Sequence, residues 1–289
     1  METLRKNIRL FLLLFLISAN VFVWFRASLE EGRGYLTVAF LDIGQGDGIY
    51  IEAPNGNQMI IDGGPSAKIL EELGTVMPFY DHSVDILMVS NPDKDHIAGF
   101  MDILNTMEVS RVIEPGTKSD SHIYAELEKA IENENATKII ARRGMHIKLD
   151  EKTDFEVLFP DRDVSNFKTN DGSILGKLTY GDTCFIFTGD APALDERYLV
   201  GLDGLNLDCE VLKVGHHGSR TSTAEEFVAA VSPEVAVISD GKNNKYGHPH
   251  KETLDTLEKY GVSVYRTDLM GTIIMKSDGK KIEIQTKYH

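Results

Sequence analysis

The stretch Ser90-Asn91-Pro92-Asp93-Lys94-Asp95-His96 decides how this chain is read. It follows an apolar, strand-like run, Val84–Val89, and precedes a helix-like run, Ile97–Met107. Groups at the C-terminal end of a strand are presented into a crevice rather than packed within the sheet. Asp93, Asp95 and His96 cannot all point inward, because unpaired carboxylates cost too much to desolvate. Clustered Asp and His of this kind point to a divalent metal. A polar turn with Asp95 as N-cap of the next helix would give the same string, so the decision falls to other segments.

Four of them repeat the arrangement. Asp62 follows Met59-Ile60-Ile61, and Asp190 closes Thr188-Gly189-Asp190 after the run Cys184–Phe187. His216 and His217 follow Val211-Leu212-Lys213-Val214, and His248 stands in Lys245-Tyr246-Gly247-His248-Pro249, beyond Val235–Ser239. Singly, Gly-Asp is a common turn and a His-His pair is compatible with ordinary hydrogen bonding. Together they supply more carboxylate and imidazole than one structural metal needs.

From Tyr35 onward short β-branched or aromatic runs alternate with helices, among them Ser121–Asn133, Thr223–Val231 and Lys251–Tyr260. This pattern predicts two packed sheets flanked by helices. No linker interrupts residues 35–289, which are expected to form one catalytic-type domain.

The N-terminus differs. Arg5, Lys6 and Arg9 precede Leu10–Phe25, sixteen residues without a formal charge, closed by Arg26. Residues 1–26 are expected to be an uncleaved signal anchor, with a cleaved signal peptide as the alternative, and 27–34 a polar linker. Basic residues before the apolar run place the body outside the cytoplasm in either case: membrane-anchored, or secreted if the segment is removed. The two cysteines, Cys184 and Cys209, lack metal-site spacing; an exported protein could link them, but two buried thiols are expected. Removing residues 1–26 leaves 26 basic and 44 acidic residues, a charge of −18. Such acidity argues against a non-specific nucleic-acid binder with a basic face. It leaves room for a metal-dependent phosphodiesterase, whose cations supply the local positive charge.

The order Leu41-Asp42-Ile43-Gly44-Gln45-Gly46-Asp47, Ile61-Asp62-Gly63-Gly64, Asn91 to His96, Thr188-Gly189-Asp190, Gly215-His216-His217-Gly218-Ser219 and Tyr246-Gly247-His248-Pro249 resembles the metallo-β-lactamase superfamily. Within it the chain is most similar to the ComEC-type domain of bacterial DNA-uptake proteins, with one apolar segment where that family has a many-helix channel. The resemblance runs from about Tyr35 to the C-terminus. It implies an α+β fold, the four-layer αββα sandwich, holding one or two divalent ions, manganese or zinc, between strand-end loops.

Carried over residue by residue, Asp95 and His96 would bind one ion with His216 as third ligand and Asp190 bridging. Asp93 would belong to a second position, where Asn91 stands in place of the family's histidine. A neutral amide is a poor zinc ligand, though acceptable to manganese or magnesium. His122 and His146 sit in the wrong context to replace it. Catalysis would fall to Asp95, His217 and His248. Asn170, Ser173, Ser219 and His248 would line the site for substrate, and Asp62 would orient the histidine loop. The activity so implied is hydrolysis of phosphodiesters, with nucleic acid as one substrate and the membrane as a partner through the N-terminus. Two alternatives stand beside it: an exported phosphoesterase acting on cell-wall or small phosphodiesters, and a decayed binding module. Nothing in the sequence points to a protein partner.

Overall fold

The computed structural model describes residues 2–31 and 34–288. A single helix, α1 (Glu2–Glu31), carries the apolar N-terminus. Its window Asn7–Trp24 has a mean hydropathy of 1.9, and none of it is buried by the rest of the chain. Eighteen helical residues rise about 27 Å, close to the thickness of a hydrocarbon core. Residues 27–31, expected to be linker, instead continue the helix. Ala27, Leu29, Glu30 and Glu31 favour helix and outweigh the single Ser28. Residues 32 and 33 of that expected linker lie outside the described residues.

Beyond α1, β1 (Leu36–Phe40), β2 (Gly48–Glu52) and β3 (Gln58–Gly63) form an antiparallel meander. Pairing then becomes parallel. The helix α2 (Lys68–Val76) crosses to β4 (Ser83–Met88), and α3 (Lys94–Ile97) with α4 (Phe100–Thr106) crosses to β5 (Glu108–Glu114). In turn α5 (His122–Glu134) leads to β6 (Thr137–Ile140).

The second half repeats the plan. β7 (His146–Lys148), β8 (Thr153–Phe159), β9 (Leu175–Tyr180) and β10 (Thr183–Phe187) are antiparallel. Parallel strands follow: α6 (Ala193–Asp203) leads to β11 (Val211–Lys213), α7 (Glu225–Val231) to β12 (Val235–Ile238), and α8 (Lys251–Lys259) to β13 (Ser263–Arg266). After the short α9 (Thr267–Met270), β14 (Ile273–Ser277) and β15 (Ile282–Thr286) return to the first sheet beside β1.

The sheets run β15-β14-β1-β2-β3-β4-β5-β6 and β13-β12-β11-β10-β9-β8-β7. Their inner faces meet in an apolar layer where Phe187 stacks with Phe40 at 6.3 Å and with Phe155 at 5.9 Å. Each fully buried side chain of this size contributes roughly 1.5–3 kcal/mol relative to exposure. The outer face of the first sheet is covered by residues such as Ile69, Phe100 and Leu127 from α2, α4 and α5. Leu199, Phe227 and Leu257 from α6, α7 and α8 cover the second. Four layers result, helix on sheet on sheet on helix, as the pattern implied.

Cys184 and Cys209 are joined in a disulfide, Cα to Cα 5.3 Å, which corrects the expectation of two free thiols. Parallel pairing of β10 with β11 brings the two side by side, a proximity the linear spacing does not show. For the site, strand direction matters most. β1, β3, β4, β10, β11 and β12 all deliver their C-terminal ends to one edge of the sandwich.

Candidate metal centre

At that edge His96, fully buried at the start of α3, sits between two carboxylates. Its Nδ1 lies 2.7 Å from Asp62 Oδ2, which makes Nδ1 the protonated nitrogen because a carboxylate only accepts. Asp62 itself accepts from the Ser90 amide at 2.8 Å and from the Ser90 hydroxyl. His96 Nε2 then faces Asp190 Oδ2 at 3.2 Å.

His217 repeats the logic from the second sheet. Its Nδ1 is 3.0 Å from the Ser239 carbonyl and 3.4 Å from Asp47 Oδ1, so the proton again sits on Nδ1. Its Nε2 lies 3.6 Å from both Asp95 Oδ2 and Asp190 Oδ1. Buried Lys213 donates to Asp47 Oδ2 at 2.8 Å and to the Val214 carbonyl at 2.9 Å, which fixes the carboxylate behind the ring.

The backbone is strained to achieve this. Asp62, His216 and His217 have φ of 61°, 46° and 54°. Left-handed conformations in non-glycine residues cost on the order of 1–3 kcal/mol each, and they persist where surrounding structure fixes a functional group. Gly46 presses the β1–β2 loop onto Asp95; a Cβ there would lie 2.2 Å from the Asp95 carbonyl oxygen.

Burial alone would raise the carboxyl pKa values. For Asp190 the adjacent His96 and His217 outweigh burial and hold the group far below the usual range. Asp47 is likewise held low, against burial, by Lys213 and His217. Conversely, Asp190 and Asp47 overcome the burial of His217 and push it up to about 10. His96 is raised for the same reason, by Asp190 and Asp62. His248 moves the other way, to about 4, through burial and the neighbouring His217 and His216.

A divalent cation fits this arrangement. His96 Nε2, His217 Nε2 and Asp190 Oδ1 are buried with no hydrogen-bond partner. The ligand atoms of Asp95, His96 and His217 lie within 4.8 Å of one another. With Nδ1 protonated on both rings, lone pairs and carboxylate oxygens converge on one point. Such convergence repels unless a proton or a cation sits between. Two imidazoles and two carboxylates suit zinc or manganese.

Several expected positions shift. His217, expected to act in catalysis, is buried and aimed at Asp95 and Asp190. His216, expected as a ligand, is 28% exposed; its Nε2 lies 3.7 Å from Asp190 Oδ2 and its Nδ1 3.2 Å from the Thr221 hydroxyl. Asn91 is fully buried and already engaged. Its Oδ1 accepts from the Asp93 amide at 2.9 Å, and its Nδ2 donates to Asn170 Oδ1 at 2.7 Å. Asp93 accepts from the Thr169 hydroxyl at 3.1 Å. Ser173 is buried behind Asn91, and Ser219 turns its hydroxyl to Thr221, so neither is presented to substrate. His248 stands at the mouth, 5.7 Å from the His216 ring and stacked with exposed Tyr246. Asp47, Lys213 and the Ser239 carbonyl were absent from the expected set. A lysine inside the apolar run Val211–Val214 was the signal that a buried partner exists.

Residues 41–239 match the metallo-beta-lactamase superfamily, and the chain belongs to it. Within the superfamily its similarity is to ComEC-type competence proteins. It is 34% identical over 254 residues to ComE operon protein 3 of Bacillus subtilis, covering 82% of this chain and 32% of that protein. Competence protein ComA of Neisseria gonorrhoeae is 30% identical over 246 residues, covering 85% and 33% respectively. The chain thus spans about a third of the length of these relatives. Among solved structures, CmlA, a diiron β-hydroxylase from Streptomyces venezuelae, superposes with a TM-score of 0.54 at 12% identity, over 84% of this chain and 54% of that one. Zn(2+)-bound PqqB from Methylobacterium extorquens gives 0.52 at 10% identity, over 77% and 85%. At these identities the likeness is one of fold.

Proposed function

We propose that this chain is an extracytoplasmic, membrane-anchored, metal-dependent hydrolase of phosphodiesters, with nucleic acid as a substrate. The convergence of His96 Nε2, His217 Nε2 and Asp190 Oδ1, all buried and facing one another without a hydrogen bond, carries the reading. Together with Asp95 they would hold one divalent ion. Such an ion supplies a water of lowered pKa and neutralises charge on the phosphate oxygens.

The chain's own groups do the rest. Asp62 holds the His96 proton on Nδ1, and the Ser239 carbonyl with Asp47 holds that of His217, which keeps both Nε2 atoms available as donors. His248, which burial and the neighbouring His217 and His216 push down to about 4, is placed at the mouth as a proton acceptor. In the segment Gly241–Lys251, which contains no carboxylate, Lys245 lies over the Tyr246 ring that stacks on His248, while Lys251 is paired with Asp255. In a chain of net charge −15, that local cationic segment favours an anionic substrate. The disulfide and α1 support the extracytoplasmic placement.

The test is the purified full chain, loaded with manganese or zinc, assayed on DNA, RNA and bis-nitrophenyl phosphate. Turnover of at least one, lost in His217→Ala together with bound metal, is expected. Absence of turnover on all three with metal bound would sink the reading.

A further inference from the structure

The two ends of the sandwich differ in what they expose. Of the described residues outside α1, Leu205 and Phe79 are the most exposed large apolar side chains, at 89% and 88%. Neither is near the metal centre. Phe79 lies between α2 and β4, just before β4 begins. Leu205 lies in the 3-10 turn Gly204–Leu207 that follows α6 on the way to β11. Since β4 and β11 both end at the site, both residues occupy the opposite edge.

That is also the edge where the chain arrives from α1. β1 starts there and runs toward the site. Tyr180, at the end of β9, donates its hydroxyl to the Gly34 carbonyl at 3.0 Å and fastens the incoming chain to the same edge. Four peptide steps separate the last helical residue, Glu31, from Tyr35. They reach at most about 14 Å. A six-residue strand such as β3 spans roughly 20 Å, so the tether is shorter than the body it holds.

We propose that the edge bearing Phe79 and Leu205 rests on the bilayer interface, and that the metal centre opens away from the membrane. The inference rests on α1 being the membrane span. A tether fixed at this edge brings it to the lipid surface whatever the tilt of α1. Two exposed apolar side chains then gain burial among headgroups and upper acyl chains. Tyr80, packed edge-on against Phe79 at 5.4 Å, adds the amphipathic ring that such interfaces favour. The groove beside Gly34 contains Lys148 and Lys152 together with Asp150 and Glu151. Its consequence is that the site takes substrate from the aqueous side rather than from lipid.

The experiment uses the full chain in nanodiscs of phosphatidylcholine and phosphatidylglycerol, with an environment-sensitive nitrobenzoxadiazole label on Phe79→Cys, Leu205→Cys or Leu194→Cys. Leu194, 74% exposed near the start of α6, reports the site edge. Circular dichroism and metal content matching wild type show that each variant is folded. Labels at 79 and 205 should be blue-shifted and quenched at least twofold more by lipids brominated near the carbonyl than the label at 194. Solvent-like, unquenched labels at 79 and 205 overturn the proposal, and so does equal or stronger quenching at 194. A blue shift without bromine quenching also overturns it, since a protein rather than lipid would then cover the edge. Release of the chain by alkaline carbonate defeats the span reading itself, whereas retention with any of the above outcomes defeats the orientation alone.

Discussion

Asp62 shows at the level of one residue how a side chain that touches no ion can govern binding. It fixes the His96 proton on Nδ1, so Asp62→Asn leaves the ring without its charged acceptor. Loss of such a partner weakens metal affinity by about 10–100-fold, to be measured by titration calorimetry with zinc and manganese. Asn91 leads to a count. Its amide oxygen must face the Asp93 N–H, because the amide nitrogen cannot accept, and its nitrogen is spent on Asn170. One ion per chain is therefore expected by elemental analysis, and Asn91→His should add a second, weaker one. Proton linkage gives a third outcome. In the metal-free protein His217 is raised from 6.5 to about 10 by its carboxylate neighbours. The stability this contributes is complete below pH 6.5 and is lost as pH rises toward 10. The melting temperature of the metal-free chain should fall across that window. An ion takes the place of the proton, so the loaded chain should show a flatter profile in the same scan.

At the scale of elements, the buried pair Lys213–Asp47 links β11 to the β1–β2 loop, two segments from different sheets. Lys213→Met strands a buried carboxylate and should cost about 3–5 kcal/mol in urea unfolding, while adding Asp47→Leu should recover much of that loss. Both variants should bind metal more weakly, because His217 loses the group behind its ring. The alternation of apolar runs and polar ends made most strands legible, as did the parallel crossings through α2, α5, α7 and α8. α6 is hard to read from sequence because Leu194-Asp195-Glu196-Arg197-Tyr198-Leu199-Val200-Gly201 carries little helical segregation of apolar residues, although Pro192 marks its start. Asp278-Gly279 and the alternation Ile282-Glu283-Ile284-Gln285 are the hairpin signals that correspond to β15. Strand-end chemistry exposed Asp95, His96, Asp190 and Asp62 in the sequence. Which of two adjacent histidines turns inward was not legible, because it depends on the left-handed backbone at both.

Taken as a whole molecule, the four layers could be read from the order of elements, whereas the disulfide could not, since it depends on strand adjacency. Net charge acts only at this scale. The body carries −18 beyond residue 26, yet the loop that carries His248 holds Lys242 and Lys245, the latter over the Tyr246 ring that stacks on His248. At 0.01 M salt the Debye length is about 30 Å, and the whole acidic surface repels an approaching polyanion. At 0.15 M it falls to about 8 Å, so only this loop and the site are felt. Hydrolysis of a polynucleotide should therefore gain in kcat/KM as salt rises from 0.01 to 0.15 M, and bis-nitrophenyl phosphate, with its single charge, should respond far less. Lys242→Glu with Lys245→Glu should lower the polynucleotide rate at both salts by removing local attraction, leaving the small diester nearly unchanged. Steady decline of polynucleotide turnover with added salt would instead mean that the loop lysines dominate from the outset and that the acidic body has no part in steering substrate.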